Sequence, residues 1–213
     1  MDLATNSLRN LNQSIAPTSG GLAPDFSLLS IQGDMIQLKK YRNDKNIILW
    51  FSRGFTCPYC RGFMDEVITG YNKLVENNIE IIQVSPNLHQ SAVNFFGKNP
   101  PPFPMICDPD KRLFRTYGIG DKGALVASQS MVKAFTTAAK RGEFIKTARA
   151  GAADVFDKRF LQRLHHHALT ALNQAVIAID LNGMIRHRVD VGTLEDIPST
   201  PKMIQFLKPV NTN

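Results

Sequence analysis

Ile47-Ile48-Leu49-Trp50-Phe51-Ser52-Arg53-Gly54-Phe55-Thr56-Cys57-Pro58-Tyr59-Cys60-Arg61 is the stretch that decides how the rest of the chain is read. Its first five residues are an unbroken apolar run, the pattern of a strand buried on both faces. Beyond its end, Phe63, Val67, Tyr71 and Leu74 recur at helical spacing with Met64 and Ile68 beside them, which predicts a helix over about 60–76. Two cysteines, three residues apart, thus fall where a strand turns into a helix. A helix N-terminus stabilises an anion, and the thiolate is the nucleophilic form of cysteine.

Working outward, Ile79 to Ser85 reads as a second buried strand, Leu88 to Lys98 as a helix broken by Pro100-Pro101-Pro102, and Phe103 to Cys107 as a short strand. Asp108 offers an N-cap with Pro109 at the first helical position and Gly118 as the stop. Upstream, Phe26–Leu29 and Met35–Leu38 flank Ile31-Gln32-Gly33-Asp34 as a hairpin, and Lys39–Lys45 is a charged connection. Strands alternating with helices imply a mostly parallel sheet covered on both faces. The rhythm then changes. Residues 124–172 hold no convincing strand, and Ser130–Arg141 and Val155–Ala171 read as two helices of an insertion. Val176–Ile179, the turn Asp180-Leu181-Asn182-Gly183 and Met184–Val189 form a closing hairpin, and residues 199–207 a last helix capped by Ser199 or Thr200. The expected organisation is a flexible leader over 1–22, one domain over 23–208 and a tail over 209–213.

The 213 residues are enough for one substantial core, and 43% hydrophobic with 20% charged residues is ordinary for a globular domain. Three cysteines in this length exclude a disulfide scaffold and fit a working dithiol in a reducing compartment. The first residues carry neither a basic n-region nor an apolar h-region, and no run approaches the ~18 apolar residues of a membrane span. A cytoplasmic protein without membrane contact is expected. The net charge of +7 is concentrated between Lys133 and Arg163. No nucleic-acid motif accompanies it and no aromatics are interleaved, so a solvated face rather than nucleic-acid binding is expected.

Cys-x-x-Cys in such a setting is a redox motif, since a small disulfide closes across one helical turn with little strain. Arg53 and Arg61 add positive charge nearby. Zinc would need about four ligands, and neither Cys107 nor the scattered histidines supply them, so no metal is expected. His165-His166-His167 point about 100° apart on a helix and cannot face one ion together. Cys107, ending a buried strand, reads as a small core residue. Which sulfur attacks is left open by these residues. A dithiol reductase would use the N-terminal Cys57, with Cys60 resolving, whereas a peroxidase would use a sulfur inside the first helical turn, which favours Cys60.

Ala23-Pro24-Asp25-Phe26, the Gly33 turn, the strand ending at Trp50-Phe51, Phe103-Pro104-Met105-Ile106-Cys107-Asp108-Pro109-Asp110, Tyr117-Gly118-Ile119 and Ile179-Asp180-Leu181-Asn182-Gly183-Met184-Ile185 together resemble the peroxiredoxins, the alkyl hydroperoxide reductase/thiol-specific antioxidant family of the thioredoxin superfamily. The resemblance implies a thioredoxin-like α/β fold with a central mixed, mostly parallel sheet, an N-terminal β-hairpin and a helical insertion before the last two strands. It implies reduction of hydrogen peroxide or organic hydroperoxides through a cysteine sulfenate. Counted from Phe51, Cys60 falls at the family's peroxidatic position, with Cys57 where the family has a threonine or serine and Arg53 where it has a proline. Gln174 stands where the family places an arginine, and the cis-proline of thioredoxins and glutaredoxins is missing from the same place.

The expected catalytic residues are therefore Cys60, Cys57, Thr56 and Arg53, with Cys57 resolving and Thr56 near the sulfur or peroxide. No bound cofactor is expected, only an external thiol reductant such as thioredoxin or glutathione, and the resemblance alone implies a homodimer. Cys57-Pro58-Tyr59-Cys60 is also similar to the glutaredoxin active site, so a disulfide oxidoreductase with Cys57 as nucleophile is the second expectation. A redox-sensing binding protein with little turnover is the third.

Overall fold

The computed structural model describes residues 16–55, 58–120, 140, 173–191 and 197–208. The chain opens with β1 (Ser27–Leu29) and β2 (Met35–Gln37), followed by a 3-10 turn (Leu38–Tyr41) where only a charged connection was expected. Then come β3 (Asn46–Phe51), α1 (Pro58–Glu76), β4 (Ile79–Ser85), α2 (His89–Phe96), β5 (Met105–Cys107) and α3 (Arg112–Thr116). The chain closes with β6 (Gln174–Ile179), β7 (Ile185–Val191) and α4 (Thr200–Gln205). Apart from Lys140, the two helices expected within 124–172, and with them His165–His167, lie outside the described residues.

β1 and β2 form their own antiparallel pair, and the main sheet has the order β5-β4-β3-β6-β7. β3 pairs in parallel with β4, and β4 with β5, whereas β3–β6 and β6–β7 are antiparallel. Four of the five strands in this sheet run in the same direction and β6 runs against them, so the sheet is mixed and mostly parallel, as expected. The short turn between β6 and β7 imposes antiparallel pairing on those two, because only a long crossover joins parallel strands.

β3 is the middle strand and alternates sides. Ile47, Leu49 and Phe51 enter one core with Ile82, Val84, Ala175, Ile177, Leu113, Phe114 and Tyr117. Ile48 and Trp50 enter the other with Met64, Val67 and Leu74 of α1 and Met203 of α4. The unbroken apolar run follows directly from this, since both faces of the strand are covered. Trp50 and Phe51 are fully buried, each such side chain contributing about 1.5–3 kcal/mol. α1 and α4 approach closely at Gly70, where a Cβ would collide with the Thr200 side chain.

Several boundaries differ from the sequence reading for local reasons. α2 ends at Gly97, whose φ of +57° closes the helix before the prolines are reached. Asp108 does not immediately precede α3. Its carboxylate accepts from the N–H groups of Arg112 (3.0 Å), Leu113 (2.8 Å) and Phe114 (3.2 Å), while Lys111 occupies the N-cap position in a left-handed conformation. The segment expected as a loose leader is docked at its end. Gly20 donates to the Ile185 carbonyl at 2.8 Å, Ala23 to that of Gly183 at 2.9 Å, and Leu22 bridges Met184. The hairpin is tied to the main sheet by Gln32, whose amide donates to the carbonyls of Pro101 and Phe103 and accepts from the Met105 N–H. No helix among the described residues is long and apolar enough to cross a membrane.

Candidate active site

Cys60 is the third residue of α1 and therefore lies in its first turn. Phe51 ends the central strand, so strand, turn and helix deliver the sulfur to the C-terminal edge of the parallel strands, where α/β folds build their sites. The side chain is 1% exposed. Its Sγ lies 3.5 Å from Oε1 of Gln174, the first residue of β6, itself 1% exposed. Gln174 arrives there because β6 runs antiparallel beside β3, with Ala175 opposite Phe51. The first turn of α1 carries no acidic side chain to oppose the helix dipole.

The turn before the helix is held by buried polar groups that the sequence reading did not single out. The Ser52 hydroxyl donates to the Val84 carbonyl (3.3 Å) and accepts from Gln83 Nε2 (3.0 Å) and from the Gly54 N–H (3.3 Å), which uses its hydrogen-bonding capacity fully. Asn87 Oδ1 accepts from the Phe55 N–H (3.2 Å) and the Ser85 hydroxyl (2.6 Å). Gly54 has φ +96°, and a Cβ there would run into the Asn87 amide. Only glycine fits that conformation and that space. Arg61 is buried, and its Nη1 donates to the Phe55 carbonyl at 2.9 Å, so it clamps the turn as well as adding charge.

Phe55 is buried against α2, stacked on Phe95 with ring centroids 4.7 Å apart and edge-on to Phe96 at 5.7 Å. Cys107 packs half-buried against this aromatic cluster, opposite Ser85 in the sheet register. Arg53 is half-buried on the same turn. Thr56 and Cys57 lie outside the described residues, so of the four expected catalytic positions the structure describes Cys60 and Arg53. Among the described residues no three His, Cys, Asp or Glu side chains cluster as metal ligands would.

Asn87, Ser85, Ser52 and Gln83 had one visible signal. Each is polar within or next to a run of buried apolar residues, as in Ile79-Glu80-Ile81-Ile82-Gln83-Val84-Ser85, and a buried polar group must find a partner.

A central strand leading through a short turn into a helix that carries a buried cysteine, in a five-stranded mixed sheet with helices on both faces, defines a thioredoxin-like protein. The model of the AhpC/TSA family matches residues 19–149, more than half of the chain, and the chain belongs to that family. Peroxiredoxin 2 of Caldanaerobacter subterraneus subsp. tengcongensis is 29% identical over 123 residues, 55% of this chain and 55% of that protein. The thiol-disulfide oxidoreductase ResA of Bacillus anthracis is 31% identical over 102 residues, 47% of this chain and 58% of that protein. The matched segment thus spans little more than half the length of these curated relatives. Among solved structures, peroxidoxin BcpB from Mycobacterium tuberculosis superposes with a TM-score of 0.58 at 12% identity, covering 89% of this chain and 96% of that one. The reduced 2-Cys peroxiredoxin of Plasmodium vivax gives 0.58 at 12% identity, covering 91% and 88%. At such identities these structures establish the fold alone.

Proposed function

We propose that the chain is a thiol-dependent peroxidase that reduces hydrogen peroxide or organic hydroperoxides through Cys57 and Cys60, with Cys60 attacking. The supporting observation is the placement of Cys60, buried in the first turn of α1 with its sulfur against a polar partner from β6. A helix N-terminus and its unsatisfied N–H groups favour the thiolate there and present donors to a peroxide oxygen. Similarity to a protein named peroxiredoxin 2 agrees with this chemistry.

The thiolate attacks one peroxide oxygen. The S–O bond forms as the O–O bond breaks, and the other oxygen leaves as an alcohol or water after taking a proton. The Cys57 thiol then attacks the sulfenic sulfur, expelling water and forming a disulfide. An external dithiol protein such as thioredoxin, or two molecules of glutathione, returns two electrons and two protons. Arg53 and Thr56 are the further residues assigned to act on the peroxide, and the medium is a reducing one such as the cytoplasm.

The second reading is a disulfide oxidoreductase with Cys57 as nucleophile. The likeness to ResA and the neutral Gln174 beside Cys60 favour it. Peroxide consumption and insulin-type disulfide reduction measured on one preparation separate the two. Peroxide turnover lost in Cys60→Ser, with Cys57→Ser keeping a single turnover, supports the first. A chain that exceeds background only on disulfides overturns it.

A further inference from the structure

We propose that the Gln174 carboxamide sets the acidity of the Cys60 thiol by bonding to both of its protonation states. Oε1 accepts from the S–H, and the same amide turned end for end donates Nε2–H to the thiolate. This inference rests on Cys60 being the reactive sulfur of the proposed function.

Three observations carry it. The Cys60 Sγ and Gln174 Oε1 stand 3.5 Å apart with both side chains 1% exposed, so this contact, rather than bulk water, is the polar surrounding of the sulfur on that side. Gln174 is held in place by the sheet, opposite Val191 on β7 and next to Ala175, which faces Phe51. A primary amide carries one acceptor and two donors on a group that exchanges them by a half-turn, which neither a carboxylate nor a guanidinium does. Burial penalises the thiolate, and an N–H donor offsets part of that penalty.

Charged groups also lie around the pair. β3 and β6 carry no ionisable side chain. On β7, Asp190 lies opposite Ala175, exposed and held by Arg188 at 2.8 Å. Arg61 donates to the Phe55 carbonyl, Arg53 lies on the turn before the helix, and Asp65 and Glu66 are exposed on α1 beyond its first turn. The amide is a buried neutral group in contact with the sulfur. Being neutral, it tunes the thiol without fixing it as thiolate.

The test is the pH dependence of iodoacetamide alkylation of each cysteine in the full chain, resolved by peptide mass spectrometry, in wild type, Gln174→Met and Gln174→Glu. A thiolate bond is charge-assisted and the thiol bond weak, so losing both moves the Cys60 midpoint up by about one pH unit in Gln174→Met. Gln174→Glu, acceptor only when ionised, moves it further in the same direction, while the Cys107 midpoint stays put. Cys60 midpoints within about 0.2 pH unit across the three proteins overturn the proposal. If the variants fail to fold, the side-chain amide resonances of Gln174 in the ¹⁵N-labelled wild type replace them. Resonances that titrate with the Cys60 midpoint support the proposal, and a flat trace overturns it. Neither readout uses peroxide, so shifted midpoints in a chain that consumes no peroxide would refute the peroxidase reading and leave Gln174 in this role.

Discussion

Gly54→Ala is the substitution for which the structure gives the sharpest expectation. At φ +96° an L side chain is strained, at a cost of about 1–3 kcal/mol. The new methyl also displaces the Asn87 amide, whose Oδ1 holds the Phe55 N–H at 3.2 Å and the Ser85 hydroxyl at 2.6 Å. Losing these two buried bonds adds about 0.5–1.5 kcal/mol each. The sum is about 2–6 kcal/mol, which in a chain of this size lowers Tm by roughly 10 °C. Trp50, the single tryptophan and fully buried, reports unfolding in urea by fluorescence. The steric part depends on Asn87 being present. In an Asn87→Ala background, Gly54→Ala should therefore cost only the backbone strain, leaving a coupling of about 1–2 kcal/mol between the two sites. A Gly54→Ala loss below about 1 kcal/mol, or additivity of the pair to within about 0.5 kcal/mol, would refute the view that Asn87 shapes the cysteine turn.

Two further expectations concern parts of the fold away from the sulfur. Asp108→Ala removes the acceptor of three α3 N–H groups and should destabilise the chain by about 2 kcal/mol, with Asp108→Asn recovering part of it, in the same urea assay. Burial, and then the charge of Asp25, push the Tyr117 phenol above its usual range, and its hydroxyl donates to the Pro24 carbonyl at 2.7 Å. A phenol raised in the folded state contributes stability that is complete below the unfolded value of ~10 and is lost as pH rises through the folded one. Wild-type stability should therefore fall above pH ~10, and Tyr117→Phe should flatten that fall by about 1.4 kcal/mol per pH unit, measured by denaturation at pH 9 to 11.

Much of the scaffold was legible because it is written in apolar runs. Ile47–Phe51 and Ile79–Ser85 could only be buried strands, and the Phe63–Leu74 spacing only a helix face. The start of α3 was not legible, because it depends on Lys111 adopting positive φ, which no residue type announces. The place of β6 was not legible, because alternation of strands and helices fixes the first half of the sheet and says nothing of how β6 returns beside β3. At the site, Cys60 was visible from its place at the strand–helix junction. Its surroundings were not, because Asn87, Ser52 and Gln83 act through partners some thirty residues distant in the chain, brought together by the parallel pairing of β3 and β4. Gln174 was visible only as an exception to a family pattern, and the 3.5 Å contact gives that exception a physical meaning.

The assignment of Cys60 as the attacking sulfur is tested most directly by trapping the first oxidised species. The reduced full chain is mixed with one equivalent of hydrogen peroxide in the presence of dimedone, which captures sulfenic acid, and the adduct is located by peptide mass spectrometry. The expected result is an adduct on Cys60, increased when Cys57→Ser removes the resolving thiol. An adduct on Cys57 with Cys60 unmodified would contradict the assignment.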